Sequence, residues 1–159
     1  MSFQSESELE NWLINELQQQ FGYSYYKKIE DKETLEDNFR TNLYNLNKED
    51  LNNSPFTDTE FDRILTYLKD KSVYQSDKQL RDKYVLERED GRKVHIKFLD
   101  YDDYSNNKVQ VANQITVINK YETRFDVTLL INGLPLIQLE KQVLRSHQNK
   151  LHRLPKRLR

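Results

Sequence analysis

The chain has 159 residues, 36% of them hydrophobic and 32% charged, with 10 Tyr, 7 Phe and one Trp and a net charge of −1; this length suits one compact domain, and so many aromatic side chains argue against disorder. The absence of cysteine excludes a disulfide framework, thiolate zinc sites and a cysteine nucleophile. With no basic n-region, no apolar leader and no run of about eighteen apolar residues, the expectation is a cytoplasmic protein without a signal peptide or membrane span.

The segment "SESELENWLINELQQQFG" sets Leu9, Leu13, Leu17 and Phe21 four residues apart with Trp12 beside them, a helical stripe; Ser5 and Glu8 form a capping box and Gly22 suits the position after the end. "TLEDNFRTNLYNLN" repeats the period through Leu35, Phe39, Leu43 and Leu46. "TDTEFDRILTYLKD" opens on the capping pattern Thr57-x-x-Glu60 before Phe61, Ile64, Leu65 and Leu68. After about residue 82 the period falls to two. "YVLERED" and "RKVHIKFLD" flank an Asp90-Gly91 turn and read as a hairpin with Val94, Ile96 and Phe98 on one face. "DYDDYSNNK" is a polar loop and "VQVANQITVI" a further strand. Helices first and a sheet second predict a small α/β or α+β domain, the sheet packed on the helices.

The last hairpin, "RFDVTLLINGLPLIQLEKQ", carries the chemistry. A two-residue turn at Asn132-Gly133 would pair Asp126 with Leu139, and a three-residue turn through Leu134 would pair Asp126 with Glu140. The second register is the expectation. It collects Val127, Leu129, Ile131, Ile137 and Leu139 on one apolar face and leaves Asp126, Thr128, Leu130, Leu136, Gln138, Glu140 and Gln142 on the other. Two carboxylates so placed repel unless a proton or cation lies between them, and a hard divalent ion such as Mg²⁺ would take both. Spacing alone also allows a purely structural arrangement, with Asp126 paired to Arg124 or Lys120 and Glu140 in solvent.

"RFDVTLLINGLPLIQLE", the preceding "NNKVQVANQITV", "TDTEFDRIL" and "SESELENWLI" together resemble the N-terminal domain of the restriction (R) subunit of type I restriction enzymes, over about residues 3 to 140. The resemblance implies a PD-(D/E)xK nuclease fold, a restriction-endonuclease-like mixed β-sheet flanked by helices. It places the family's metal-binding aspartate on Asp126 and its glutamate on Glu140. Glu10 corresponds to the helical glutamate that often completes such sites, with Glu8 as the neighbouring alternative. The implied activity is Mg²⁺-dependent hydrolysis of duplex DNA, in a complex with modification and specificity subunits. No Walker A motif is present, so ATP-driven translocation would belong to motor domains elsewhere in a full-length R subunit.

The family's lysine position, two after the glutamate, is Gln142 here, and the neighbouring Lys141 falls on the opposite face of a regular strand. Some nucleases of this fold use Gln at that position. A bulge at Lys141, or loss of one residue after Glu140, would instead return Lys141 to the site. The family's Gln-x-x-x-Tyr helix is not matched by Gln148 and His152. Residues 141 to 159 carry seven Lys or Arg and no acid, while the first 140 hold 18 basic against 26 acidic groups. This tail reads as a replaced or truncated C-terminal part, and either as a phosphate contact or as a solvated end. Two rival readings follow: a non-catalytic remnant acting as a DNA- or subunit-binding module, and a helix-rich interaction module of a restriction complex. His95, His147 and His152 read as structural or surface residues, and "DYDDY" as a solvated loop without the glycine and distal glutamate of a calcium site.

Overall fold

A computed structural model describes residues 5–27, 31–69, 78–118 and 122–139. The chain groups into two compact units, one formed by Met1–Leu35, Val109–Leu130 and Pro135–Arg159, the other by Glu36–Lys108 and Ile131–Leu134.

The first unit starts with α1 (Glu6–Phe21). Its capping box forms as the sequence predicts: the Glu8 N–H donates to Ser5 Oγ and the Ser5 N–H to the Glu8 carboxylate, each at 3.2 Å. Gly22, at φ +68°, ends the helix by donating its N–H to the last turn. A two-residue strand, β1 (Ser24–Tyr25), then pairs parallel with β4 (Val109–Ile118), Tyr25 lying opposite Val111. Such a strand is too short to leave a periodic signal. With β5 (Glu122–Ile131) and β6 (Leu134–Leu139) the order is β1-β4-β5-β6, a mixed sheet. Ile14 of α1 packs with Val111 and Val127, joined by Leu13, Leu17, Leu129 and Leu139. A second cluster holds Ala112 and Leu130 with Tyr26 and Leu35. Val127 (0% exposed), Thr128 (1%) and Leu130 (0%) are therefore buried nearly in succession. Burial is thus not confined to the expected apolar face of Val127 and Leu129: β5 lies inside the sheet, covered on both sides. Phe21 also departs from the predicted stripe, being exposed and stacked on Tyr23.

The second unit holds most of α2 (Lys32–Asn47), then α3 (Asp58–Lys69) and the antiparallel hairpin of β2 (Tyr84–Glu87) and β3 (Lys93–Ile96). The strands thus make two sheets. Val94, Ile96 and Phe98 are buried as the alternation predicts, together with Leu86, against Phe39, Leu43, Phe61 and Ile64 from the two helices. Each such side chain contributes on the order of 2 kcal/mol by leaving water. Glu60 does more than cap α3. Its carboxylate accepts the Thr57 N–H (3.0 Å), the Glu89 N–H (3.1 Å) and Arg88 Nε (2.8 Å), while the Arg88 guanidinium also donates to the Ser54 and Pro55 carbonyls. Burial alone would raise the Glu60 carboxyl, but those donors hold it below its ordinary value.

The β5–β6 turn has two residues. Asn132 (φ +52°) and Gly133 (φ +85°) both take positive φ, the type I′ signature. This corrects the three-residue register. Leu134 packs with the core of the second unit and begins β6, so it is not available to the loop. Asn132 is held from every side: its N–H donates to the Lys108 carbonyl (2.8 Å), its Oδ1 accepts the Lys108 N–H (2.9 Å), and its amide donates to the Phe98 carbonyl (3.0 Å) and Asn107 Oδ1 (2.8 Å). At Gly133 a Cβ would stand 2.5 Å from Phe39 Cα. Gly133→Ala should therefore cost about 3 kcal/mol or more, from overpacking and backbone strain together. Gly91→Ala, with φ +82° but nothing within 4 Å, should cost about 1 kcal/mol. Denaturant midpoints of both variants test this, and equal losses would contradict it.

Candidate functional site

The residues singled out from the sequence fall unevenly on the structure. Glu10 lies in the second turn of α1, buried, one helical turn before Ile14. Glu8 is exposed, with its carboxylate in the Ser5 cap. Asp126 lies in β5, immediately before the buried Val127. Glu140, Lys141 and Gln142 lie outside the described residues, as do His147 and His152.

The turn length bears on which residues share a face. In an unbroken two-residue hairpin, position 139 stands opposite position 126 and shares its face. Leu139 is partly buried against the cluster of Ile14, Val111 and Val127. Three successive residues of β6, Leu136, Ile137 and Gln138, are exposed, and the alternation lapses there. Val127, Leu129 and Leu139 belong to one cluster, while Ile137, at 45% exposure, does not join it.

Among the described residues no three His, Cys, Asp or Glu side chains are arranged to hold a metal ion. His95 is exposed on β3, opposite Val85. The acidic loop needs correction. Asp100 is buried, not solvated, and its carboxylate accepts the Asp102 and Asp103 N–H groups, the Asn106 amide and Lys97 Nζ at 2.9 to 3.1 Å. Asn107 links it to the hairpin turn, accepting from the Asp100 N–H (2.8 Å) and the Asn132 amide (2.8 Å). The Asp103 N–H, then the Asn106 amide and Lys97, hold the Asp100 carboxyl well below the usual carboxylate range. A carboxylate so fully engaged braces the turn, whereas the loop's other two acids, Asp102 and Asp103, are exposed. The sequence carried a signal for this in the asparagines that follow, Asn106 and Asn107, which are suited to bonding a nearby acid.

Comparison with known proteins decides the family. The family described as type I restriction enzyme R protein N terminus matches residues 3–151. The type I restriction enzyme SauMSSORF170P endonuclease subunit of Staphylococcus aureus is 46% identical over 140 residues. The chain belongs to this R-protein family. The SsaAORF53P endonuclease subunit of Staphylococcus saprophyticus is 42% identical over the same length, and the EcoprrI endonuclease subunit of Escherichia coli 35% identical over 164 residues. The chain covers 15% of the length of the staphylococcal subunits and 50% of the E. coli one, with 88% and 98% of its own residues matched. The family match runs past Glu140 into the basic tail. The mixed sheet with helices on it is the restriction-endonuclease-like architecture expected of the R-protein N terminus. No helix among the described residues is long and apolar enough to cross a membrane.

The depressed Asp100 carboxyl predicts a pH dependence. Its contribution is complete above the unfolded carboxylate value, about pH 4, and is lost as pH falls through the lower folded value. Asp100→Asn should lower the thermal midpoint at pH 7 by a few degrees and flatten the loss of stability below about pH 4. Parallel acid limbs for wild type and variant would contradict the assignment.

Proposed function

We propose that this chain is the nuclease domain of a type I restriction enzyme R subunit, hydrolysing phosphodiester bonds of duplex DNA with Mg²⁺. The observation that carries the reading is membership of the R-protein N-terminal family, combined with an aspartate on an internal strand and a buried glutamate on the first helix. Asp126 and Glu140 would hold the ion, an all-oxygen donor set of the hard class that Mg²⁺ favours. When bound, Mg²⁺ supplies Lewis-acid stabilisation of charge on the phosphate and an activated water. Gln142 or Lys141 orients that water, and Glu10 supports the carboxylates from α1.

The relatives are longer than this chain, and ATP-driven translocation would reside in their remaining length. Modification and specificity subunits, meeting the R subunit in the cytoplasm, would supply site recognition. The basic tail would contact DNA phosphates. Salt-sensitive DNA binding would follow from that tail with or without catalysis, so binding is not the test.

Cleavage is the test. Plasmid nicking by excess protein should require Mg²⁺ or Mn²⁺, cease in EDTA, and fall by roughly 100-fold or more in Asp126→Ala and Glu140→Ala. A folded wild-type chain that cuts at no metal concentration would contradict catalysis and favour a non-catalytic remnant of the nuclease.

A further inference from the structure

β6 closes one side of the four-stranded sheet: β5 pairs with one of its edges, and no strand among the described residues pairs with the other. The type I′ turn sets Ile131 opposite Leu134 and directs the main chain of Leu134 toward β5, so Pro135 and Ile137 direct theirs outward. Proline fits that position, because its missing N–H then faces no strand of the sheet. Leu136 (37% exposed) and Ile137 (45%) follow in succession on opposite faces, both open to solvent. Leu134–Leu139 carries no charged side chain, whereas a free edge is ordinarily guarded by one, lysine above all. Main-chain groups pointing outward, with apolar side chains above and below, suit the addition of another strand.

We propose that this edge pairs with a second copy of the chain, β6 against β6 and antiparallel, joining two sheets into one. The arrangement is self-complementary about a two-fold axis. With Ile137 at the axis, each Ile137 N–H meets the other's carbonyl, and each Pro135 carbonyl takes the Leu139 N–H of the opposite copy. Ile137 then packs on Ile137, and Leu136 on Gln138, across the seam. Uncharged edge meets uncharged edge, and a net charge of −1 leaves two copies little reason to repel. DNA is a poor occupant, since the strand offers no cation to a phosphate. A seam this short buries less than the roughly 1,600 Å² of a standard interface, so the dimer is weak and reversible.

Sedimentation equilibrium of the full chain at concentrations up to about 1 mM, combined with hydrogen exchange at the Ile137 amide, tests this. Wild type should show a monomer–dimer equilibrium, with exchange at Ile137 slowed roughly 10-fold once about nine-tenths of the chain is dimeric. Ile137→Lys should weaken dimerisation by roughly 10-fold or more, and Ile137→Val should stay within a few-fold of wild type. The side chain is exposed, so both variants should melt with wild type. A chain monomeric at every concentration, or a dimer that Ile137→Lys leaves intact, would overturn the assignment. So would an Ile137 amide whose protection does not change with concentration, which would mean that the edge is already covered or that the copies meet elsewhere. None of these outcomes bears on cleavage, so the nuclease reading stands or falls separately.

Discussion

The side chain of Asn132 fixes where the last hairpin turns, and the faces of the strands that follow depend on it. Its backbone N–H, its carbonyl oxygen and its amide are all engaged, to Lys108, Phe98 and Asn107. Gly133 beside it leaves no room for a Cβ against the α2 backbone. A turn held this way cannot migrate by one residue without breaking several buried hydrogen bonds, and a one-residue migration would exchange every side chain between the two faces of a strand. Asp100 extends the same network through Asn107. Its carboxylate gathers two backbone N–H groups, an amide and an ammonium, which keeps it ionised and the loop in shape.

Much of this was legible in the sequence because it depends on near neighbours. The capping boxes at Ser5 and Thr57, the apolar stripes of α1 (short of Phe21), α2 and α3, and the alternation through Val94, Ile96 and Phe98 are local signals, and each appears where the spacing puts it. An unbroken apolar face on β5 and β6 favours the three-residue turn, and the structure has the two-residue one. Asn-Gly is itself a preference for the two-residue type I′ turn, and the decisive fact, Leu134 packing in a core built from distant segments, has no local signature. The Glu60–Arg88 pair joins residues 28 apart, so only the Thr57 half of Glu60's role could be read in advance. Alternation likewise announces strands without saying how many sheets they form.

For the candidate site, a resemblance drew attention to Asp126, and the fold adds that its strand is internal and covered on both sides. The choice between Glu8 and Glu10 rests on helix geometry: one closes the cap at the exposed helix start, the other is buried a turn before the sheet-facing Ile14.

The central claim is that β5 and the end of β6 bring the carboxylates of Asp126 and Glu140 to one divalent cation. Anomalous diffraction from crystals soaked in Mn²⁺ measures this directly. The account predicts a manganese peak coordinated by both carboxylates. A peak bound elsewhere, or Glu140 turned to the opposite face from Asp126 with no shared ion, would contradict it.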